Sequence, residues 1–192
     1  MLVGMVMMPT SSVASGSQVY SEPGSYSFTV PIGVRSITIE TSGGAGGGAS
    51  GWTDEIPGPE KDPFPTYVDM YGGDGGSSAT ATSQVSVTPN SEVTIVVGAG
   101  GAGGTAPGND IYDVANPGAG GGDSYATYSG VDVVRADAGA GGTRYGDGAG
   151  GLASASTGDT KTNGVAGDGG AGGFGNTDDG ASGIDGTVTV TW

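Results

Sequence analysis

Apolar residues in this chain gather in short alternating or β-branched runs, and three of those runs break off into glycine. The segments are Val34–Gly48 (VRSITIETSGGAGGG), Glu92–Gly104 (EVTIVVGAGGAGG) and Val131–Gly142 (VDVVRADAGAGG). A β-branched run of this length favours a strand with a buried face. Glycine has no side chain to bury and the highest ordering cost of any residue. A strand feeding a glycine tract is therefore the organising unit of the sequence.

The remaining apolar positions predict further strands. Tyr26, Phe28 and Val30 alternate with Ser27 and Thr29, and Pro31-Ile32-Gly33 turns this run into Val34–Thr41 as a hairpin or a β-arch. Ser77–Thr88 reads as a strand with a weak apolar face, turned by Pro89-Asn90-Ser91 into Glu92–Val97. Asp123–Tyr128 and Val131–Ala136 form a hairpin through Ser129-Gly130, and Thr187–Trp192 (TVTVTW) closes the sheet. Gly51–Tyr71 carries four prolines, and we expect a structured loop there rather than a strand. The predicted fold is all-β: an antiparallel, jelly-roll-like β-sandwich with almost no helix, carrying glycine-rich loops or polyglycine II-type tracts.

The tracts have a period of their own. Val165, Asp168, Ala171, Phe174 and Thr177 recur every third residue, as do Ala99 and Ala102, and Asp74 and Ser77. Three residues per turn is the repeat of the extended left-handed polyproline II helix. Collagen would need uninterrupted Gly triplets rich in proline, and these tracts contain no proline. Glycine lets several such helices pack with their N–H and C=O groups paired between helices. Every third residue is then free to line one outer edge.

Composition narrows the chemistry. Glycine accounts for 44 of 192 residues, and Cys and His are absent, which excludes disulfides, thiolate metal sites and His-based nucleophile activation. The net charge of −15 argues against nucleic acid as a partner. Five of the 20 acidic residues are Glu and the rest Asp, a surface suited to a saline or marine setting or simply to solubility. The GxGxxG pattern at Gly98–Gly103 is a chance match in so glycine-rich a chain. Asn109–Asp113 and Asn176–Gly180 lack the ligand series of a calcium loop, so no cofactor is expected beyond weak Ca²⁺ or Mg²⁺ binding by Asp-rich loops. No carboxylate pair is marked for hydrolysis, and the chain is expected not to be an enzyme.

YSFTVPIGVRSITIETSGGAGGG, QVSVTPNSEVTIVVGAGGAGG and the closing GTVTVTW together resemble the glycine-rich domains of tail-fibre and other appendage proteins of tailed viruses, over roughly Ser21–Trp192. Asn90 stands where that family usually has Gly, and Asn also tolerates a turn with positive φ. The acidic charge and the Trp52–Tyr71 insertion depart from the pattern. The resemblance implies a non-catalytic virion component, on a tail fibre or decorating a capsid, that mediates host attachment at the particle surface.

Residues 1–18 are expected to be a docking arm and linker, and 19–192 the glycine-rich β domain. Met1, Leu2, Val3, Met5, Val6, Met7 and Met8 form an apolar run that lacks a basic n-region and is too short to span a bilayer. Such a run would be a liability if exposed, so it is expected to dock on other virion proteins. A homo-oligomer is expected, a trimer first among the options. Trp52, Phe64, Tyr67, Tyr71 and Tyr112 are the candidate contacts for a host surface glycan or protein, as rigid aromatics on loops. The competing role for these rings is to cover the edge of the core. The alternatives are a cellular glycine-rich surface adhesin, extracellular or on the cell surface, and an ice-binding protein, at which Thr80 and Thr82 hint.

Overall fold

The computed structural model describes residues 15–58, 64–108, 114–154 and 156–192. Eleven strands and one 3-10 turn make up the regular structure among them. One sheet holds β1 (Ser17–Tyr20), β11 (Thr187–Thr191), β3 (Ser36–Ser42), β6 (Thr80–Ser86) and β10 (Thr160–Thr162), in that order and antiparallel throughout. The second holds β2 (Gly24–Thr29), β7 (Glu92–Val97), β8 (Ser124–Tyr128) and β9 (Val131–Ala136). The two sheets pack as a sandwich. Its core is Phe28, Val30, Val34, Ile37, Ile39, Val93, Ile95, Val134, Val188 and Val190 with their neighbours. These are the inward halves of the alternating runs, and burying each such side chain is worth about 1.5–3 kcal/mol.

β2 and β3 lie in different sheets, so Pro31-Ile32-Gly33 is the bend of a β-arch, not of a hairpin. Thr88–Ser91 makes a second arch between β6 and β7. The two arches are joined by Val30 N donating to Ser91 O and Asn90 N donating to Val30 O. Asn90 takes φ 62°, the left-handed conformation that its type tolerates. Ser129 (φ 52°) and Gly130 (φ 80°) form the two-residue β8–β9 turn, where two positive φ angles match the strand twist.

Strands β3, β7 and β9 run straight on into glycine tracts at 43–51, 98–104 and 137–143. Tracts 72–79, 116–122 and 178–186 run back into β6, β8 and β11. Tract 43–51 lies at the centre. Its nine successive N–H groups donate in strict rotation to three neighbours: Gly44, Gly47 and Ser50 to Gly122, Ala119 and Asn116; Ala45, Gly48 and Gly51 to Ile184, Ala181 and Asp178; and Gly43, Gly46 and Ala49 to Ala79, Gly76 and Gly73. Its carbonyls accept from three others, Gly44 and Gly47 from Gly139 and Gly142, Ala45 and Gly48 from Gly101 and Gly104, and Gly46 and Ala49 from Gly170 and Gly173. The six neighbours also bond to one another in a closed ring, for example Ala119 N to Ala102 O, Gly183 N to Gly101 O, Ala181 N to Ala171 O, Gly75 N to Gly170 O, Gly76 N to Ala140 O and Gly121 N to Gly139 O. One helix surrounded by six, with partners advancing by three residues, is polyglycine II packing, and it is the ordered form of the two offered by the sequence.

This packing requires glycine for space, not for unusual dihedrals. The sixth neighbour is tract 168–174, and the positive-φ glycines (24, 33, 108, 130, 158, 167 and 175) all lie outside the seven tracts of this array. A β-carbon on Gly46, Gly75 or Gly101 would instead fall within 3.0 Å of a neighbouring backbone carbonyl. Outer tracts keep one open side, and there the side chains stand: Ala99 and Ala102 are exposed, as are Asp168, Ala171 and Phe174, while Val165 and Thr177, also exposed, lie beyond the turn at Gly167 and in the 3-10 turn. Where an outer N–H has no tract to face, a side chain substitutes. Asp74 Oδ1 accepts from Gly172 N (2.6 Å), Asp185 Oδ1 from Gly100 N (2.7 Å), Asp147 Oδ1 from Asp74 N (3.0 Å) and Ser77 Oγ from Val165 N (2.8 Å). Much of the aspartate content is thus structural, terminating the hydrogen-bond lattice at its surface.

Candidate functional site

Each connection from an outgoing tract to a returning one lies at the end of the bundle remote from the sandwich. Four such connections meet there, in their described parts: residues 52–58 and 64–71, 105–108 and 114–115, 144–146 and the 3-10 turn Gly175–Thr177. The first corrects the sequence reading. It is a two-stranded antiparallel ribbon of β4 (Trp52–Ile56) and β5 (Thr66–Met70), not the strandless structured loop expected. Pro57 and Pro65 directly flank the strands, and the other two prolines lie between them, so no ladder position loses a donor.

The base of this ribbon, with the turn at residues 144–147, encloses a cleft of about 490 Å³. Trp52, Asp54, Met70 and Tyr71 line it from the ribbon, and Arg144, Tyr145 and Asp147 from the turn. Trp52 is only 3% exposed, so the ring expected to be an outward anchor is instead the floor of the structure around the cleft. Tyr145 meets it edge-on at 5.7 Å between ring centroids. The Arg144 guanidinium lies 5.0 Å from the Trp52 ring centroid and 4.9 Å from that of Tyr145, a cation–π arrangement worth about 0.5–2 kcal/mol. Arg144 enters no ion pair among the described residues. Among the described residues, its Nε and the Trp52 Nε1 are buried without a hydrogen-bond partner. Tyr145 and Tyr71 stand out at the cleft, 80% and 70% exposed, and Tyr71 is braced from behind by Phe174 at 4.5 Å between centroids.

Of the residues singled out from sequence, the structure brings Trp52 and Tyr71 together at the cleft. Phe64 and Tyr67 are exposed further along the ribbon and do not line it. Tyr112 and the arm residues Met1, Leu2, Val3, Met5, Val6, Met7 and Met8 lie outside the described residues. Arg144, Tyr145 and Asp147 were missed. Their signal was present: TRYGD is a cluster of large and charged residues between two glycine runs. Among the described residues no group of three or more acidic side chains is placed to hold a metal ion, and no helix is long and apolar enough to cross a membrane.

Fold and site together define a β-sandwich extended by a polyglycine II bundle that presents an aromatic cleft at its far end. The family model for a glycine-rich domain matches residues 20–192, and the chain belongs to that glycine-rich domain family. No curated protein matches the chain.

Proposed function

We propose that this chain is a non-catalytic component of a virion appendage, on a tail fibre or the capsid surface, whose bundle carries a host-recognition surface away from its attachment point. The observation that carries this reading is the polarity of the molecule. Gly16 and Trp192, which exchange two 2.9 Å backbone hydrogen bonds, lie at the sandwich end, while Trp52, Phe64, Tyr67, Tyr71, Tyr145 and Phe174 all belong to the opposite end. Such a bundle makes a stiff spacer. All nine N–H groups of its central tract and the six carbonyls from Gly44 to Ala49 are held by hydrogen bonds worth about 0.5–1.5 kcal/mol each. Loops on a rigid scaffold can vary without disturbing the fold, as recognition requires. The residues preceding the fold are assigned to docking on other virion proteins, in a homo-oligomer for which a trimer is the first candidate. Antibodies raised against the full chain should label appendages of purified particles in immunogold electron microscopy and block their adsorption. Labelling of cell envelopes instead of particles would overturn the virion reading in favour of a cellular surface adhesin.

The ice-binding reading gains one observation. On the outer face of the five-stranded sheet, Thr162, Thr80, Ser42 and Thr187 form one cross-strand row, and Thr160, Thr82, Glu40 and Thr189 the next. Glu40 interrupts the second row with a charge, which disfavours an ordered water lattice. A thermal-hysteresis measurement on the full chain decides it, and we expect none.

A further inference from the structure

We infer that the cleft between Tyr71 and Tyr145 binds an uncharged pyranose sugar, and that Arg144, Asp54 and Asp147 read its hydroxyls. This deepens the attachment reading and rests on it. The cavity, about 490 Å³, is within the size range of small-molecule sites. Its two exposed rings, Tyr71 and Tyr145, stand at the same cleft, and each is braced by a second aromatic, Phe174 or Trp52. Braced rings give contact area at low entropy cost and suit the C–H face of a pyranose.

The charges around the rings select the class. Arg144 has no ion pair among the described residues, and its guanidinium is held in place by Trp52 and Tyr145 with donors to spare. Its positive charge offsets one of the two carboxylates of the cleft, and among the described residues no cluster of three acidic groups is placed to hold a cation. Asp54 and Asp147 on the same cleft, within a chain of net charge −15, oppose an anionic ligand. A ligand that donates to carboxylates and accepts from a guanidinium, while carrying no charge, is a polyol. The flanking rings make it a cyclic one.

The test is isothermal titration of the full chain with the methyl glycosides of glucose, galactose and mannose and their disaccharides. Glucuronic acid, N-acetylneuraminic acid and glucosamine serve as charged counterparts. At least one neutral glycoside should bind, the charged counterparts should bind at least tenfold more weakly, and Tyr145→Ala and Asp54→Ala should each weaken binding tenfold or more with the melting temperature held. Failure of every neutral glycoside, stronger binding of a charged sugar, or binding indifferent to both variants would overturn the inference. Asp54 is exposed, so its variant keeps the test valid even if Tyr145→Ala loosens the turn. Particles whose adsorption is blocked by the antibody but not by saturating glycoside would refute the sugar and leave attachment standing. Particles not labelled by the antibody would refute attachment itself.

Discussion

Gly46 faces the carbonyl of Ala140 so closely that a β-carbon on Gly46 would fall within 3.0 Å of the Ala140 oxygen, although Gly46 has no positive φ. The same relation recurs around the central tract. Gly46→Ala should therefore act as an overpacking change in a backbone-lined interior, costing about 1–3 kcal/mol or more. Gly120→Ala is the control, because its nearest neighbour would be the Gly139 oxygen at 3.5 Å, an ordinary contact. Thermal melts of the two variants should separate clearly, with Gly120→Ala at or slightly above the parent through reduced unfolded-state entropy. Equal melting temperatures would show that the bundle does not pack this tightly in solution.

Asp74 should be the most sensitive of the lattice-terminating aspartates. Its carboxylate accepts from Gly172 N while its own N–H donates to Asp147. Asp74→Ala leaves the part-buried Gly172 N–H unpaired, at a cost of about 1–3 kcal/mol. Asp185→Ala exposes Gly100 N to water, which replaces the bond, and should cost well under that. Urea denaturation of both variants checks the order.

Trp52 and Tyr67 should behave differently. Trp52 is buried beneath Arg144 and Tyr145, so Trp52→Ala is expected to cost about 3–5 kcal/mol and to disrupt the cleft. Tyr67 is exposed on β5, and Tyr67→Ala should leave the melting temperature within a few degrees of the parent. If Tyr67 belongs to the recognition surface, adsorption falls in that variant without loss of fold. Measuring adsorption per folded molecule distinguishes the two effects.

The position of a truncation should matter by only a few residues. Removing residues 1–14 spares Gly16, which is paired with Trp192, and β1, which opens at Ser17. Removing residues 1–18 takes half of β1 and should lower the melting temperature. Both variants should fail to join particles if the preceding residues dock the protein. Normal incorporation of the shorter truncation would refute docking.

Gly130→Ala should destabilise through conformation alone. Nothing lies within 4 Å of a β-carbon there, yet φ is 80°. A cost of about 1 kcal/mol, from the left-handed penalty, is expected in a thermal melt.

Much of this architecture is local, and so was legible in the sequence. Phe28–Val30, Ile37–Ile39 and Val93–Val97 alternate because a sheet has two faces, and the structure buries the faces they mark. The three-residue spacing of Asp168, Ala171 and Phe174 follows from the turn of one helix, so it marked the exposed edge of its segment before any neighbour was known, whereas Val165 shares the spacing only across the turn at Gly167. Asn90 could be read as a positive-φ residue from its own chemistry. Tertiary structure decided what depends on neighbours. Composition separates the central tract, which is Gly, Ala and Ser alone, from most of its neighbours, which carry Asp, Asn, Pro, Ile or Phe on their open sides, but tract 98–104 is as plain as the central one and lies outside it. That choice follows from which strand each tract extends and in which direction it runs. Likewise, Trp52 became floor and Tyr145 became surface because a ribbon and a turn more than 70 residues apart in sequence meet at the end of the bundle, where Arg144 reaches both rings.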